Sequence, residues 1–460
     1  RLPSTSSLPP ANMLAMRRVG LFAFAILAAS APFAFCEEDS GAVGVVGDAG
    51  VGMAGYEPPS NVVEHGRIDR DIRDIEQQGT NYEDAMLIYT SGRNSLSGDK
   101  FRTLQGMSTK YVTDESAKDE MMAKLGHAFW EDWDYSNQHL LAALEPSDSN
   151  LYGNYKTGVV AKTDDVRKQM IKKVLKFTLL MQYALHELER CYKVYTDTSK
   201  TDEDRYGLGG AVHAFDEFWA FYVGSLEDGS VEGDEEEGDG KGYGPYIMAE
   251  KKAEPFGTGG FVVSNGGTSR VNWELMFQAH AAKRYLQTPG NEKEVKDILF
   301  CIRSMIKVPL IQGCLHYAWE VTQKDEKDFA KYKGEMWALC SAALPFLHEV
   351  DEEAAATVYD ETSINNPKAP NWPSVRDAFS GKNLNMMGVR CSDIGHLQGD
   401  DYKAAEHKEC KDVSLSEAKQ NKYADAWICP KVKMPNAGSM LQGASWLLSL
   451  AAVSLVYLMK

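Results

Sequence analysis

The sequence predicts a mainly α-helical fold, with two tandem homologous helical-bundle units and a loop-rich C-terminal segment that contains cysteines. Apolar residues recur every three or four positions over long stretches. Two-residue alternation of apolar and polar residues is scarce, so the sheet content should be small. Short motifs also recur in the same order with a period of about 130 residues, which is typical of an internal duplication.

The N-terminal region predicts export from the cell. Met16-Arg17-Arg18 precedes an apolar run from Val19 to Phe35, and three acidic residues follow at positions 37–39. This order of charge, apolar run and small residues is that of a secretory signal peptide. We therefore assign residues 13–36 to a signal peptide and residues 37–66, which are rich in glycine, to a flexible spacer.

The C-terminal region, residues 434–460, predicts attachment to a membrane. Small residues at positions 436–439 precede an uncharged run from Ala444 to Met459. Small residues, a short polar spacer and an apolar tail form the signal for a glycosylphosphatidylinositol anchor. A short spanning helix and a helix buried in the fold are the alternatives. With the signal peptide, the tail predicts a protein on the extracellular face of the plasma membrane or in the periplasmic space.

The net charge limits the classes of binding partner, and the cysteines indicate how the chain is cross-linked. The formal net charge is −17, which disfavours nucleic acid because the phosphate backbone is also negative. Eight cysteines occur and none lies in a Cys-x-x-Cys pair. In an exported chain, cysteines form disulfides more often than zinc sites.

Two pairs of motifs define the predicted units. An acidic, aromatic helix ends at Gly92 and a second one at Gly224; a Gln-x-x-x-His motif then ends at His186 and at His316. The two spacings are 94 and 92 positions, which supports duplication. The predicted units are residues 67–206 and 207–362, and residues 363–433 form the Cys-containing region.

Apolar stripes mark the packed faces of helices within the first unit. One stripe comprises Val166, Met170, Val174, Phe177, Met181 and Leu188, and another comprises Met122, Leu125, Phe129 and Trp133. Both step by three or four residues, as the buried face of a helix does.

Histidines and carboxylates recur one helical turn apart, in both units. A twofold recurrence of this kind is what internal metal sites in helical bundles look like, although such pairs also occur as ordinary surface ion pairs. The donors are oxygen and imidazole without thiolate, which suits ferric iron. The candidate metal ligands are His127, Glu131, Asp134, His186, Glu189, His213, Asp216, Glu217, Tyr222, His316 and Glu320.

Several strings in the sequence resemble the algal iron-assimilating proteins, a family that includes the phytotransferrins. The resemblance covers roughly Ile68 to Thr362. It is carried by Val308-Pro-Leu-Ile-Gln-Gly313 with Leu315-His316-Tyr317, by Trp219-Ala-Phe-Tyr-Val-Gly-Ser225, by Ile247-Met-Ala-Glu-Lys-Lys-Ala-Glu-Pro-Phe-Gly-Thr258, by Ala343-Leu-Pro-Phe-Leu347 and by Ala355-Ala-Thr-Val-Tyr359.

This resemblance implies capture of Fe³⁺ at the cell surface under iron limitation, with carbonate as a synergistic anion. It also implies a surface reductase or an endocytic partner that takes the iron onward. No catalytic signature occurs in the sequence, so we expect no enzyme activity. Two alternatives remain open: a helical zinc metallopeptidase-like protein that uses His186 and Glu189, and a metal-free adhesion or receptor module.

Overall fold

The computed structural model describes residues 53–145, 163–225, 242–260, 269–324, 326–398 and 410–413. The predicted signal peptide, the anchor region and residues 37–52 of the predicted spacer lie outside the described residues. The prediction of a mainly helical fold is confirmed. The described strands, β1 (Leu96–Ser97) and β2 (Lys100–Phe101), form one short antiparallel hairpin in which Leu96 faces Phe101.

Short helices alternate with longer ones in the first half of the described chain. The helices up to residue 223 are α1 (Val63–Gly66), α2 (Ile68–Gln77), α3 (Tyr82–Ser91), α4 (Leu104–Ser108), α5 (Lys110–Thr113), α6 (Met121–Trp130), α7 (Tyr135–Leu144), α8 (Asp164–Lys173), α9 (Met181–Thr196), α10 (Asp202–Tyr206) and α11 (Ala211–Val223). A 3₁₀ turn (Glu115–Asp119) precedes α6, and a π-helical stretch (Val174–Leu180) joins α8 to α9.

The second half contains the two longest helices. The helices after residue 244 are α12 (Pro245–Ala253), α13 (Arg270–Tyr285), α14 (Glu292–Gln323), α15 (Glu326–Val350), α16 (Glu352–Thr362), α17 (Trp372–Ala378), α18 (Gly381–Met386) and α19 (Cys391–Ile394). Within the described part, α14 is long and apolar enough to cross a membrane, but most of its apolar stretch is buried among other helices. It packs as a core helix.

Glycine ends both helices of the recurring acidic, aromatic motif, as predicted. Gly92 follows α3 with a φ of 68°, and Gly224 follows α11 with a φ of 79°. A Cβ atom at Gly92 would collide with the backbone of Arg102, and one at Gly224 with the side chain of Asp69. Glycine is therefore needed at both positions for its conformation and for its lack of a side chain.

The predicted apolar stripes form the core. The six residues of the stripe from Val166 to Leu188 are all buried, although the backbone changes from α to π geometry in its middle. In the earlier stripe, Met122, Leu125 and Phe129 are buried, and Trp133 packs partly against the same core.

Two helix pairs organise the packing. α9 lies against α11, and α14 lies against α15, where a disulfide joins Cys314 to Cys340. The described residues thus belong to one compact unit in which α9 of the first predicted repeat packs on α11 of the second. The duplication and its boundaries stay predictions.

Residues 53–66 differ from the predicted flexible spacer. Met53 and Tyr56 are buried, and the Tyr56 hydroxyl donates a hydrogen bond to Asp216 at 2.8 Å. The Trp219 indole donates to the Met53 carbonyl at 2.9 Å. This segment therefore packs on α11 because two buried polar groups of that helix need partners.

The cysteines follow the predicted preference for disulfides in part. Cys391 pairs with Cys410, which fastens the C-terminal region to itself. Cys191 and Cys301 are buried as thiols.

Candidate functional site

A polar cavity of about 200 Å³ opens beside α9 and α11. Side chains from five separate segments line it, and most of them are titratable. The lining residues are His65, Arg102, Lys110, Tyr183, His186, Glu187, Arg190, Glu217 and Phe221.

One face of α9 supplies four of the lining residues. Tyr183, His186, Glu187 and Arg190 follow one another at steps of three, one and three residues, so they project from the same side of the helix. Gln182 lies on the other side and lines a small apolar cavity in the core. The helix thus presents a phenol, an imidazole, a carboxylate and a guanidinium together.

Glu217 on α11 is the centre of the hydrogen-bond network. Its Oε1 lies 3.0 Å from Nε2 of His65 and 3.3 Å from Nε2 of His213, and its Oε2 accepts from Arg190 at 2.5 Å. Burial raises the pKa of Glu217, but the hydrogen bonds from His213 and His65 outweigh burial and hold the pKa well below its usual range. The carboxyl is therefore ionised at neutral pH.

The pKa of Glu187 is shifted in the opposite direction, above its usual value. Burial, followed by repulsion from Glu217, raises the pKa of Glu187 to about 7. Arg190 bridges both carboxylates, since its Nη1 lies 3.0 Å from Oε2 of Glu187 as well. Burial also raises the pKa of the neighbouring Tyr183 phenol. Glu187 is thus a group whose charge changes near neutral pH.

His186 is oriented from beneath the cavity by Glu120. The His186 Nδ1 lies 2.7 Å from Oε2 of Glu120, which is 2% exposed, and the other Glu120 oxygen accepts from Lys193 at 3.0 Å. When Nδ1 carries the proton that Glu120 accepts, Nε2 is left with its lone pair. Such carboxylate support is common for histidines that bind metals.

His65 is contacted by two groups of opposite charge. Its Nε2 lies 3.0 Å from Glu217 and 2.6 Å from Nη2 of Arg102. One ring nitrogen cannot donate to a carboxylate and accept from a guanidinium at once. One of the two contacts is therefore unfavourable as the side chains stand.

The predicted row of His127, Glu131 and Asp134 does not form one helix face. α6 ends at Trp130 because Glu131 adopts a left-handed conformation with a φ of 55°. His127 stacks on Trp133 with 4.0 Å between ring centroids. Asp134 accepts hydrogen bonds from the amides of Asn137 and Gln138 at 2.8 and 2.6 Å. These three residues organise the turn between α6 and α7.

Two further candidates, Glu189 and Asp216, are held by other partners. Glu189 pairs with Arg303 of α14 at 2.5 Å. Asp216 accepts from Tyr56 and Ser60 and so fastens the N-terminal segment.

Tyr222 points into the core. Its hydroxyl donates to Asn272 at 2.6 Å, and the side chain is fully buried.

The candidates His316 and Glu320 lie in a different region, beside α12 and α15. His316 Nδ1 is 3.2 Å from the Lys252 ammonium nitrogen, and Glu320 is 2.8 Å from Lys324. Of the predicted ligands, His186 and Glu217 line the cavity, and His213 contacts Glu217. Within the described ranges, no three His, Cys, Asp or Glu side chains stand close enough together to hold a metal ion as they are placed.

Sequence reasoning missed most of the lining residues. Tyr183, Glu187 and Arg190 share a face of α9 with His186, so helical spacing could have predicted them. The prediction instead took Glu189 as the second ligand on this helix. His65, Arg102 and Glu120 carry no such signal because they are far from α9 and α11 in the sequence.

The chain is therefore a helical protein with a polar, charged cavity between packed helices. Residues 32–236 match the family model described as Fea1, low iron-inducible periplasmic protein. Over these residues the match confirms the predicted resemblance, and its periplasmic description agrees with the expected location outside the cytoplasm. No curated protein and no solved structure matches the chain.

Proposed function

We propose that the protein captures Fe³⁺ in the cavity beside α9 and α11, at the outer surface of the cell. The observation that carries the proposal is the convergence of two carboxylates, two imidazoles and a phenol with three cationic side chains in one cavity. Ferric iron favours carboxylate and phenolate oxygens and accepts imidazole. The proposed ligands are Glu217, Glu187, Tyr183 and the two cavity histidines.

The cationic side chains support an accompanying anion. Arg102, Lys110 and Arg190 would repel a bare metal ion, but an anion such as carbonate neutralises them and fills the remaining iron positions. Arg190 holds Glu187 and Glu217 at present. Loading therefore exchanges partners: the carboxylates turn from the guanidinium to iron, and the guanidinium turns to the anion.

Binding of this kind depends on pH because the ligands must be deprotonated. At pH 8 Glu187 is ionised, and at pH 5 it carries a proton, since its pKa is about 7. Iron is expected to bind tightly at pH 8 and to leave at pH 5.

The test is a titration of the metal-free full chain with ferric nitrilotriacetate at pH 8 and pH 5, with and without bicarbonate. We expect one ion per chain at pH 8, and affinity that falls at least about 100-fold at pH 5 and also falls without bicarbonate. Glu217→Gln should abolish binding, whereas the matched variant Glu320→Gln should leave it unchanged. Binding that is independent of pH, or equal loss in both variants, would contradict the proposal.

Metal analysis of the protein purified from its own cells separates the alternatives. Iron supports capture, zinc supports the metallopeptidase-like alternative, and the absence of metal supports an adhesion or receptor module.

A further inference from the structure

Five lysines come together at the junction of α8, the π-helical stretch and α12. We call Lys172, Lys173, Lys176, Lys251 and Lys252 the lysine cluster. Lys173, Lys176 and Lys252 are only 6%, 3% and 4% exposed. Lysine ammonium groups are strongly hydrated, so burying three of them together requires compensating negative charge.

Two carboxylates provide part of this compensation. Glu76 contacts Lys176 at 2.6 Å and Lys172 at 3.0 Å. Glu335 contacts Lys173 at 3.3 Å and also accepts a hydrogen bond from the Tyr317 hydroxyl at 3.1 Å. Three ammonium groups thus share two carboxylates.

Among the described residues, Lys252 contacts an imidazole and an aromatic ring instead of a carboxylate. Its Nζ lies 3.2 Å from Nδ1 of His316 and 4.3 Å from the ring centroid of Tyr317. The Nζ of Lys173 faces the same ring at 5.8 Å. Across the part of the chain that the structure describes, no carboxylate lies within salt-bridge distance of Lys252.

The electrostatic consequence appears in the pKa values. Burial, with repulsion from Lys173, lowers the pKa of Lys252 to about 7. A bound anion would remove this repulsion and let the lysines keep their protons.

We propose that the lysine cluster is a binding site for a multivalent oxyanion of the phosphate class, held by Lys173, Lys251 and Lys252. Lysine binds phosphate as a point charge, and several lysines match the nearly double charge of phosphate above its second pKa. Lys251 is exposed and Lys172 is partly exposed, which provides access from solvent.

The test is calorimetric titration of the metal-free full chain with inorganic phosphate at pH 7.5, with acetate and chloride at equal ionic strength as references. Phosphate should bind saturably and acetate should not. Lys252→Met and Lys251→Met should each weaken phosphate binding at least tenfold. Lys168→Met, which removes an exposed lysine of the same α8 helix, should leave it unchanged.

Two results would overturn the proposal: no saturable binding of phosphate to the wild type, or equal phosphate affinity in the cluster variants and Lys168→Met. Lys251 is on the surface, so its variant carries the test even if Lys252→Met folds poorly. The iron titration of the same variants should match wild type, because no cluster lysine lines the iron cavity.

Discussion

The surroundings of His186 and His316 differ sharply, although each histidine ends a Gln-x-x-x-His motif. Glu120 holds the His186 ring, and Glu187 and Glu217 line the same cavity. Lys252 contacts His316, and Lys173 shares the adjacent Tyr317 ring. The recurring motif therefore gives two similar histidines hydrogen-bond partners of opposite charge: the Glu120 carboxylate for His186 and the Lys252 ammonium group for His316.

The largest difference in iron binding is expected between variants of two tyrosines, Tyr183 and Tyr317. Tyr183 lines the cavity, whereas Tyr317 donates to Glu335 beside the lysine cluster. Tyr183→Phe should remove the visible ferric–phenolate absorption band and weaken iron binding by more than about 100-fold, because a ligand is lost. Tyr317→Phe should leave both unchanged. An iron-loaded Tyr183→Phe protein with the wild-type spectrum would show that Tyr183 is not a ligand.

Glu120 should affect iron binding through His186. Glu120→Gln weakens the support for the His186 ring, and loss of such support typically costs about tenfold in metal affinity. The measurement is the ferric titration at pH 8. Glu335→Gln, the corresponding change beside Tyr317, is the control and should leave iron affinity unchanged; equal losses in both variants would indicate a general effect on folding.

Removal of one lysine from each region should change stability in opposite directions. In anion-free buffer below pH 7, Lys252→Met should raise the free energy of unfolding by about 2 kcal/mol, because it removes a buried ammonium that, among the described residues, contacts an imidazole instead of a carboxylate. Lys193→Met should lower the free energy of unfolding by about 1 kcal/mol, because it deprives the buried Glu120 of an ion pair. Urea unfolding monitored by circular dichroism measures both.

The effect of Lys252→Met should fade as pH rises. The pKa of Lys252 is lower in the folded protein than in the unfolded chain, so between about pH 7 and pH 10 the unfolded state binds more protons. The wild type therefore gains stability with rising pH over that interval, and the advantage of the variant shrinks. An advantage that stays constant to pH 10 would contradict the assigned charge state.

The smallest effect is expected at Glu320. Its carboxylate pairs with Lys324 and contacts His316 near the surface, and such pairs contribute less than about 1 kcal/mol. Glu320→Gln should accordingly leave the midpoint of urea unfolding nearly unchanged. A loss of several kcal/mol would mean that Glu320 supports the lysine cluster as strongly as Glu335 does.

Much of the fold was predictable because helix signals are local. The apolar spacing from Val166 to Leu188, and the glycines at positions 92 and 224, predicted buried helix faces and helix ends that the structure confirms. The break at Glu131 was missed, since nothing in the adjacent residues forbids a continuous helix there. Tertiary packing of α6 and α7 overrides that local preference.

The site was less predictable because its groups meet through packing. Glu217 and His186 were identified from one-turn pairing of histidine and carboxylate. Glu217 does contact His213 one turn away, at 3.3 Å, whereas His186 contacts the distant Glu120. Glu120 reaches His186 across 66 positions of sequence, and Ser60 reaches His213 across 153. Helical periodicity cannot predict contacts between residues so far apart in the sequence.

The amino-acid sequence by itself determined that this protein is helical, where two of its helices stop, and its likeness to low iron-inducible periplasmic proteins. Only the tertiary structure decided that His186 contacts the Glu120 carboxylate and that His316 contacts the Lys252 ammonium group. The reason is physical: helix formation depends on neighbours within one or two turns, whereas the charge around a side chain depends on which distant helices pack against it.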